Sequence, residues 1–339
     1  MDILHGILSS FQSGKELAEV DAEWFFDGLI TETDEQLLAD VLTAWEQKGT
    51  TEDELFALAS IMRKRCIRVS TKHKTFVDAV GTGGSKAKTF NVSTAAAFVV
   101  SGAGIPVAKH GNRAATSNSG SADVLSALGV NPTVDYARAG ECLDEIGICF
   151  MFAPNFHSLS PTLGKVRRGL GFPTIFNNLG PLCNPANAPH QLIGVWKEDL
   201  VEKTANVLVR LGTKKSWVVH GSDGLDEITL DGMTKVAEID GESVRVYELS
   251  HDDFDVEPSD MSDIRVSTSE ESAVLIRDVL SGRSENRDAV NLVAINATAA
   301  IHVATNNLDI STAFERAKES IVSGAAAEKL RQLAELTNR

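Results

Sequence analysis

Long apolar segments are missing from this chain of 339 residues. The longest runs, such as AAAFVV at residues 95–100, fall far short of the about 20 apolar residues that a membrane-spanning helix needs. The N-terminus, MDILHGILSSFQSGK, carries acidic Asp2 and no basic stretch before its apolar residues, so it lacks the pattern of a secretory signal. From these absences we expect a cytoplasmic protein.

Cysteine is also scarce. The four cysteines, Cys66, Cys142, Cys149 and Cys183, form no C-x-x-C pair. A disulfide framework needs an oxidising compartment, and no secretory signal directs the chain to one. We therefore expect reduced and mostly buried thiols.

Positive charge is the third deficit. Lysine and arginine number 32 against 47 acidic residues, which gives a net charge of −15. A negative surface repels phosphate backbones and anionic membranes, so a general affinity for nucleic acid or for a lipid surface is not expected. Small anions are not excluded, because a few Lys and Arg residues can reverse the local field inside one cleft.

Two regions differ in their apolar periodicity. In the first, residues 1–70, apolar residues recur at helical spacing at 37–45 and at 55–62. The patterns T-x-x-Q from Thr33 and T-x-x-E from Thr51 precede them and are typical of capping boxes at helix N-termini. This region is predicted to be a small helical domain.

The second region, residues 75–339, alternates short β-branched runs with amphipathic helical segments. Strands buried on both faces are predicted at FVDAV, GIPVAK, ICFMF, QLIGV and SWVVH, and an exposed hairpin at 234–246. Strands that alternate with helices favour a mostly parallel sheet covered on both sides. The predicted fold class is α/β: a small N-terminal helical domain plus a large α/β domain with a mostly parallel central sheet.

The first predicted strand is followed by a glycine-rich segment, whose backbone amides are not covered by side chains. The stretch VDAVGTGGSKAKTFNVST, residues 77–94, places Gly81, Gly83 and Gly84 directly after the strand, and Ser93 where a helix should begin. Ligands of parallel sheets bind outside the carboxyl ends of strands, where bare amides and a helix N-terminus can cradle a phosphate. The alternative is a tight turn with a serine helix cap. The spacing matches neither G-x-G-x-x-G nor G-x-x-x-x-G-K-[ST], so a dinucleotide site or P-loop is not indicated.

Two further strand ends carry side chains that an anion site needs. One predicted strand ends in KHGNR, residues 109–113, followed by a run rich in Ser and Thr. This run is too polar for a core, and a solvated loop explains its members singly but not together, so we interpret it as a second wall of a binding site. Another strand is followed by Asp226 and Glu227. These adjacent carboxylates either hold Mg²⁺ through waters and substrate phosphates or form a solvated acidic pair.

Several segments together resemble one enzyme family. GTGG...KTFNVSTAAAF, KHGNRAATSNSGSADVLSALG, TIFNNLGPLCNP and GLDEI occur in the order and approximate spacing of the anthranilate phosphoribosyltransferases, and DEQLLADVL...KGTTEDELFALA resembles their helical domain. The resemblance covers nearly the whole chain. It implies a nucleoside phosphorylase/phosphoribosyltransferase-like fold and transfer of phosphoribose from phosphoribosyl pyrophosphate (PRPP) to the amine of anthranilate, with Mg²⁺, in tryptophan biosynthesis. It also implies a homodimer formed through the helical domain.

The resemblance assigns site residues position by position. PRPP would be bound by Gly81, Gly84, Ser85, Thr89, Asn91, Val92, Ser93, Thr94, Lys109, His110, Gly111, Asn112, Arg113, Ala114, Ala115, Thr116, Ser117 and Ser121. Anthranilate would be bound by Gly81, Asn112 and Arg167, and magnesium by Ser93, Asp226 and Glu227. Residues 157–168 resemble a helix that returns to the helical domain, so a segment near 156–180 would join residues 1–70, and residues 75–339 would form the PRPP-binding domain.

The chain departs from the family pattern at two places. Ser85 and Lys86 stand where the family usually has Asp and Gly, and Pro173 stands in GFPTIFN where GIRTIFN is usual. A missing carboxylate beside the pyrophosphate would change how the metal is held. Lys86 and Lys88 either take over part of the phosphate neutralisation or are solvated. His157 either contacts the aromatic substrate or is a structural residue of its helix.

The implied reaction needs no catalytic side chain. An aniline-type amine is a free nucleophile near neutral pH, and the sequence shows no Ser-His-Asp or Cys-His arrangement. Catalysis would come from positioning two substrates and from stabilising charge on the leaving pyrophosphate. Two alternatives share the fold: a pyrimidine nucleoside phosphorylase, which has a different strand-end signature and no use for the acidic pair, and a non-catalytic nucleic-acid-binding relative, which would need a basic surface.

Overall fold

The N-terminal region of the protein is a helical bundle. The computed structural model describes residues 3–85, 89–114, 119–305 and 308–339. The helices of this region are α1 (Ile3–Gln12), α2 (Ala22–Thr31), α3 (Glu35–Lys48) and α4 (Glu52–Arg65). Their apolar faces meet in a core that includes Phe11, Phe25 and Trp45, whose ring centroids lie between 5.1 and 5.8 Å apart.

Both helix starts predicted in this region have side-chain caps, but one cap lies a residue later than expected. Thr51 and Glu54 form the predicted capping box at α4, since each side chain bonds to the other's backbone amide. At α3 the cap is Asp34, whose carboxylate accepts from two amides of the first turn at 2.9 and 3.2 Å. The prediction of Thr33 as this cap is wrong, because the neighbouring aspartate offers a charged acceptor to the positive end of the helix.

The C-terminal region is built on one mixed sheet. Its strands are β1 (Val77–Gly81), β2 (Val107–Gly111), β3 (Ile148–Phe152), β4 (His190–Gly194), β5 (Lys215–Gly221), β6 (Thr234–Asp240) and β7 (Ser243–Leu249). In the described residues they lie in the order β3-β2-β1-β4-β5-β6-β7, parallel from β3 to β5 and antiparallel from β5 to β7. The predicted mostly parallel sheet is confirmed. The predicted hairpin forms, but only β7 is exposed, because β6 pairs on both sides and buries most of its side chains.

Helices of this region cover both faces of the sheet or, between β3 and β4, pack against the helical bundle. They are α5 (Val92–Gly102), α6 (Ser121–Ala127), α7 (Tyr136–Ile146), α8 (Ala153–Phe156), α9 (Pro161–Gly169), α10 (Ile175–Leu182), α11 (Leu200–Arg210), α12 (Ser269–Leu280), α13 (Arg287–Ala304), α14 (Ile310–Val322) and α15 (Ala325–Thr337). Successive strand residues point to different cores: Leu192 packs in the core that contains α5 and α13, and Ile193 in the core that contains α11. Burial on both faces explains why these strands read as nearly continuous apolar runs.

The helices between β3 and β4 join the two regions. α9 packs against α3, where Lys165 pairs with Glu35 at 2.6 Å, and α10 packs against α4. The helix expected over 157–168 begins only at Pro161, which suits the first turn of a helix because its position needs no amide hydrogen. Arg167 lies in the last turn of α9 and is thereby placed across from the sheet.

The register of the parallel strands brings their carboxyl ends to one edge. Gly81 pairs with Gly194, and Gly111 pairs with Phe152, so the loops that follow these strands are neighbours. β1 has β2 on one side and β4 on the other, and such a switch in strand order opens a crevice between the diverging loops.

Two expectations drawn from scarce residue types can be compared with the structure. The four cysteines are buried, as expected. Within the part of the chain that the structure describes, no helix is both long and apolar enough to cross a membrane.

Candidate active site

A cavity of about 270 Å³ lies at this edge. The carboxyl ends of β1 and β2 form one side, and the helices between β3 and β4 (α8, α9 and α10, the returning helices) form the other. Every described residue that the sequence assigns to a site lines the cavity: Gly81, Gly84, Ser85, Thr89, Asn91, Val92, Ser93, Thr94, Lys109, His110, Gly111, Asn112, Arg113, Ala114, Ser121, Arg167, Asp226 and Glu227. The predicted residues Ala115, Thr116 and Ser117, and also Lys86 and Lys88, lie outside the described residues. The lining also includes residues to which the sequence assigned no role, among them Met62, Phe176, Asn177, Gly180 and Pro181.

The glycine loop after β1 adopts a conformation that favours glycine. Gly83 and Gly84 have φ angles of +66° and +86°, in the left-handed region where a β-carbon is strained. The ring of Pro173 fills the space in which a β-carbon of Gly84 would lie. A β-carbon on Gly81 would meet Oδ2 of Asp226 at 2.6 Å. The backbone is therefore bare partly because two other segments pack directly against it.

Side chains from distant segments hold this loop in place. Oδ2 of Asp226 accepts a hydrogen bond from the amide of Gly83 at 2.8 Å, so an anion cradle has to use other amides of the loop. Asn177 donates to the carbonyl of Thr82 at 3.1 Å. The hydroxyl of Ser85 donates to a carbonyl of the loop after β5 at 2.8 Å. Ser85, which stands where a carboxylate is usual, thus fixes the loop by a neutral hydrogen bond.

The first turn of α5 lies among buried charges. Oε1 of Glu227 accepts from the amide of Ser93 at 3.2 Å. Nζ of Lys109 donates to the hydroxyl of Ser93 at 3.3 Å and to the carbonyl of Ala79 at 2.5 Å. Burial raises the pKa of Glu227 and of Asp226, and burial lowers the pKa of Lys109. A ligand that brings both phosphate and a cation would supply the opposite charge that each of these groups needs.

The acidic pair fits a magnesium ion that is shared with a substrate. Asp226 and Glu227 supply carboxylate oxygens and Ser93 a hydroxyl, the hard oxygen donors that Mg²⁺ prefers. Among the residues that the structure describes, no group of three or more His, Cys, Asp or Glu is arranged to hold a metal. Mg²⁺ commonly keeps several waters and takes its remaining ligands from one or two carboxylates and substrate phosphates, which is the donor set available here.

The opposite wall of the cavity carries a cationic side chain, that of Arg167. The guanidinium of Arg167 lies 4.9 Å from the centre of the Phe176 ring, and its Nε is buried with no hydrogen-bond partner in the described structure. Burial, with the neighbouring charge of Arg168, lowers the pKa of Arg167 to about 10, so the group stays charged at neutral pH. A guanidinium held beside an aromatic ring suits a planar aromatic carboxylate.

The loop after β2 is tied by a residue that sequence reasoning missed. Asp123 accepts from the amides of Ala114 and Gly120 at 3.0 and 3.1 Å. The same carboxylate pairs with Arg113 at 2.8 Å, so the charge of this arginine is partly committed within the loop. The signal was the segment GSAD at the start of α6, where an acid in the first turn can bond back to the amide of the capping residue.

Comparison with known proteins agrees with this geometry. A family model described as "Glycosyl transferase family, a/b domain" matches residues 73–327, and one described as "Glycosyl transferase family, helical bundle domain" matches residues 6–66. The anthranilate phosphoribosyltransferase of Moorella thermoacetica is 43% identical over 333 residues, which are 98% of this chain and 97% of the relative. The chain belongs to the anthranilate phosphoribosyltransferase family.

Solved structures of this family share the fold over the whole length. The crystal structure of anthranilate phosphoribosyltransferase from Thermus thermophilus matches with a TM-score of 0.89 and 33% identity, and covers 100% of both chains. The Saccharomyces cerevisiae enzyme in complex with PRPP and Mg matches with a TM-score of 0.88 and 26% identity, over 99% of this chain and 98% of that one. The same yeast enzyme in complex with 4-fluoroanthranilate matches with a TM-score of 0.86 and 25% identity, over 99% and 97%.

Family membership confirms the predicted fold and the predicted class of activity. The chain is a phosphoribosyltransferase with a helical domain and an α/β domain, and its place is in tryptophan biosynthesis. The alternatives drawn from the sequence, a pyrimidine nucleoside phosphorylase and a nucleic-acid-binding relative, find no support among these relatives. The roles of the individual site residues stay predictions.

Proposed function

We propose that the two walls of the cavity hold the two substrates of one transfer reaction, PRPP on the sheet side and anthranilate on the side of the returning helices. The observation that carries the proposal is the guanidinium of Arg167 in the same cavity as the glycine loop and the acidic pair. Transfer joins the nitrogen of anthranilate to C1 of the ribose, breaks the bond between C1 and the pyrophosphate oxygen, and releases pyrophosphate and the one proton that the nitrogen loses after attack. Holding both reactants in one cavity makes this bimolecular step effectively unimolecular.

The sheet side of the cavity, where PRPP is proposed to bind, supplies positive charge where the leaving group becomes negative. As the bond between C1 and the pyrophosphate breaks, negative charge grows on the pyrophosphate oxygens and positive charge on the ribose. Lys109 and the positive N-terminal end of the α5 dipole stabilise the negative charge more strongly in the transition state than in the ground state. The amine of anthranilate is uncharged at neutral pH, so no side chain has to deprotonate it before attack.

Magnesium would be held by Ser93, Asp226 and Glu227 together with the pyrophosphate of the substrate. When bound, the ion neutralises charge on the leaving group. The support from this chain is the donor set and the raised pKa of the two carboxyl groups, which a nearby cation would reverse. The yeast relative in complex with PRPP and Mg supports the use of magnesium together with PRPP.

Replacement of the carboxylates of Asp226 and Glu227 by amides should raise the magnesium requirement. Asp226→Asn with Glu227→Gln keeps the size of the side chains, and the asparagine oxygen can still accept from the amide of Gly83, so the fold should persist. The rate at saturating substrates should fall, and half-maximal rate should need more Mg²⁺. The measurement is a magnesium titration of the rate, with exposed Asp231→Asn as the control. An unchanged titration in the double variant would remove these residues from the site.

Introduction of the carboxylate that the family usually has at position 85 should affect the binding of PRPP and magnesium but not the binding of anthranilate. Ser85→Asp places a negative charge in the glycine loop, beside the proposed pyrophosphate. We expect changed magnesium dependence and a changed KM for PRPP, with the KM for anthranilate nearly constant. Initial rates with each substrate varied in turn measure this. A shift in the anthranilate KM as large as that for PRPP would contradict the separation of the two walls.

The fluorescence of anthranilate tests the function as a whole. We expect its signal to disappear only when PRPP and Mg²⁺ are both present with the protein. Phosphorolysis of a pyrimidine nucleoside, with no consumption of anthranilate, would instead support the phosphorylase alternative.

A homodimer and a cytoplasmic location also belong to this proposal. The family resemblance supports the dimer, and Val20 and Trp24 of the helical domain are 81% and 70% exposed, which is unusual for large apolar side chains. Light scattering should give twice the mass of one 36.3 kDa chain.

A further inference from the structure

His110 presents a bare hydrogen-bond acceptor. The residue lies on β2, next to its terminal glycine, and is 2% exposed. Its Nδ1 lies 3.0 Å from the carbonyl oxygen of Gly180, on α10. A carbonyl only accepts hydrogen bonds, so Nδ1 must carry the proton of the neutral ring. Nε2 is then left with a lone pair and no proton.

This lone pair has no partner among the residues that the structure describes. Nε2 of His110 is buried and makes no hydrogen bond, although the residue lines the cavity. Burial and the neighbouring His157 lower the pKa of His110 to about 3, so the ring stays neutral near pH 7. A buried acceptor left unpaired costs free energy, and such an atom in a residue that lines a cavity points to a ligand that donates a hydrogen bond.

The surroundings of His110 place it on the anthranilate side. Its ring lies edge-on to that of His157, with centroids 5.1 Å apart, and it bonds to α10. The same helix carries Phe176, beneath the guanidinium of Arg167. The family resemblance assigns His110 to PRPP, whose phosphate oxygens are acceptors and would be repelled by a neutral lone pair, so that within PRPP only a ribose hydroxyl could donate to Nε2.

We propose that Nε2 of His110 accepts a hydrogen bond from the amine of the aromatic substrate. This inference rests on the proposed function and refines it, because it states how the site recognises an amine beside a carboxylate. Arg167 binds the carboxylate and His110 binds one N–H bond, so two contacts fix the orientation of an ortho-aminobenzoate. The contact orients the amine and removes no proton from it.

Benzoate separates recognition of the amine from recognition of the carboxylate, because it has the ring and the carboxylate but no amine. Anthranilate and benzoate are each titrated calorimetrically into the full-length protein. Mg²⁺ and pyrophosphate are present and PRPP is absent, so that no turnover occurs. We expect the wild-type protein to bind anthranilate more tightly than benzoate. His110→Asn can still donate to the carbonyl of Gly180 but has no acceptor at the Nε2 position. It should bind anthranilate about 3- to 10-fold more weakly and benzoate nearly as before.

Two further variants complete the test. His110→Gln brings an amide oxygen close to the Nε2 position and should restore much of the preference for anthranilate. His157→Asn removes the neighbouring imidazole and should leave the preference nearly intact. The inference would be overturned if His110→Asn weakened the binding of anthranilate and benzoate equally, or if only His157→Asn lost the preference for anthranilate. It would also be overturned if the wild-type protein showed no such preference. A wild-type protein that prefers anthranilate but does not consume it with PRPP and Mg²⁺ would contradict the proposed function and still support the inference.

Discussion

Gly84→Val should abolish the binding of PRPP while the protein keeps a cooperative melting transition. The φ angle of Gly84 is +86°, and the ring of Pro173 occupies the position of its missing β-carbon, so a valine forces the loop to move. The loop is proposed to carry amides that cradle the pyrophosphate, and its displacement removes the site as a whole. Calorimetric titration with PRPP and Mg²⁺ should give a binding signal for the wild-type protein and none for the variant.

Two other glycines serve as controls for this experiment. Gly49→Val strains a residue with φ of +83° in the helical domain, where a β-carbon would have nothing within 4 Å, so PRPP binding should persist. Gly83→Ala places a methyl group in open space of the loop itself, at φ of +66°, and should weaken binding less than Gly84→Val does. Normal PRPP binding by a folded Gly84→Val protein would show that the loop is only a turn.

Arg167→Ala should weaken the apparent affinity for anthranilate about 10- to 100-fold, because a hydrogen bond to a charged group contributes roughly 1.5–3 kcal/mol. The affinity for PRPP should change much less, since the guanidinium lies on the wall formed by the returning helices. Initial rates with each substrate varied in turn separate the two effects.

The neighbouring arginine is a matched control for this prediction. Arg168 follows directly on α9 but is exposed, so Arg168→Ala should leave the KM for anthranilate nearly constant. Arg167→Lys keeps the charge but loses the planar fork that matches a carboxylate, and should restore only part of the affinity. Equal weakening of both substrates in Arg167→Ala would mean that Arg167 is structural or serves the phosphate side.

The meeting of the strand ends could be predicted from the sequence alone. Short apolar runs that alternate with helical segments predict a parallel sheet, and parallel strands place their carboxyl ends at one edge. The polar residues after β1 and β5 therefore had to lie close together, as the hydrogen bonds from the amides of Gly83 and Ser93 to Asp226 and Glu227 show. These relations follow from chain direction and residue pattern.

The contacts that shape the glycine loop could not be predicted in the same way. The sequence marks Pro173 only as a departure from the family pattern, whereas the structure places its ring against Gly84, next to the other departure at Ser85. Likewise, no local pattern indicates that Asn177 donates to the carbonyl of Thr82. Both contacts depend on how the segment between α9 and α10 crosses from the helical domain to the sheet, which is fixed by tertiary packing.

The stoichiometry of the reaction tests the central claim most directly. The protein is incubated with anthranilate, PRPP and Mg²⁺, and anthranilate loss, pyrophosphate release and the mass of the aromatic product are measured together. We predict one pyrophosphate released and one phosphoribosyl adduct of anthranilate formed for each anthranilate consumed, with no pyrophosphate release when anthranilate is omitted. Pyrophosphate release that is independent of anthranilate, or an aromatic product without the phosphoribosyl group, would contradict transfer between two substrates held in one cavity.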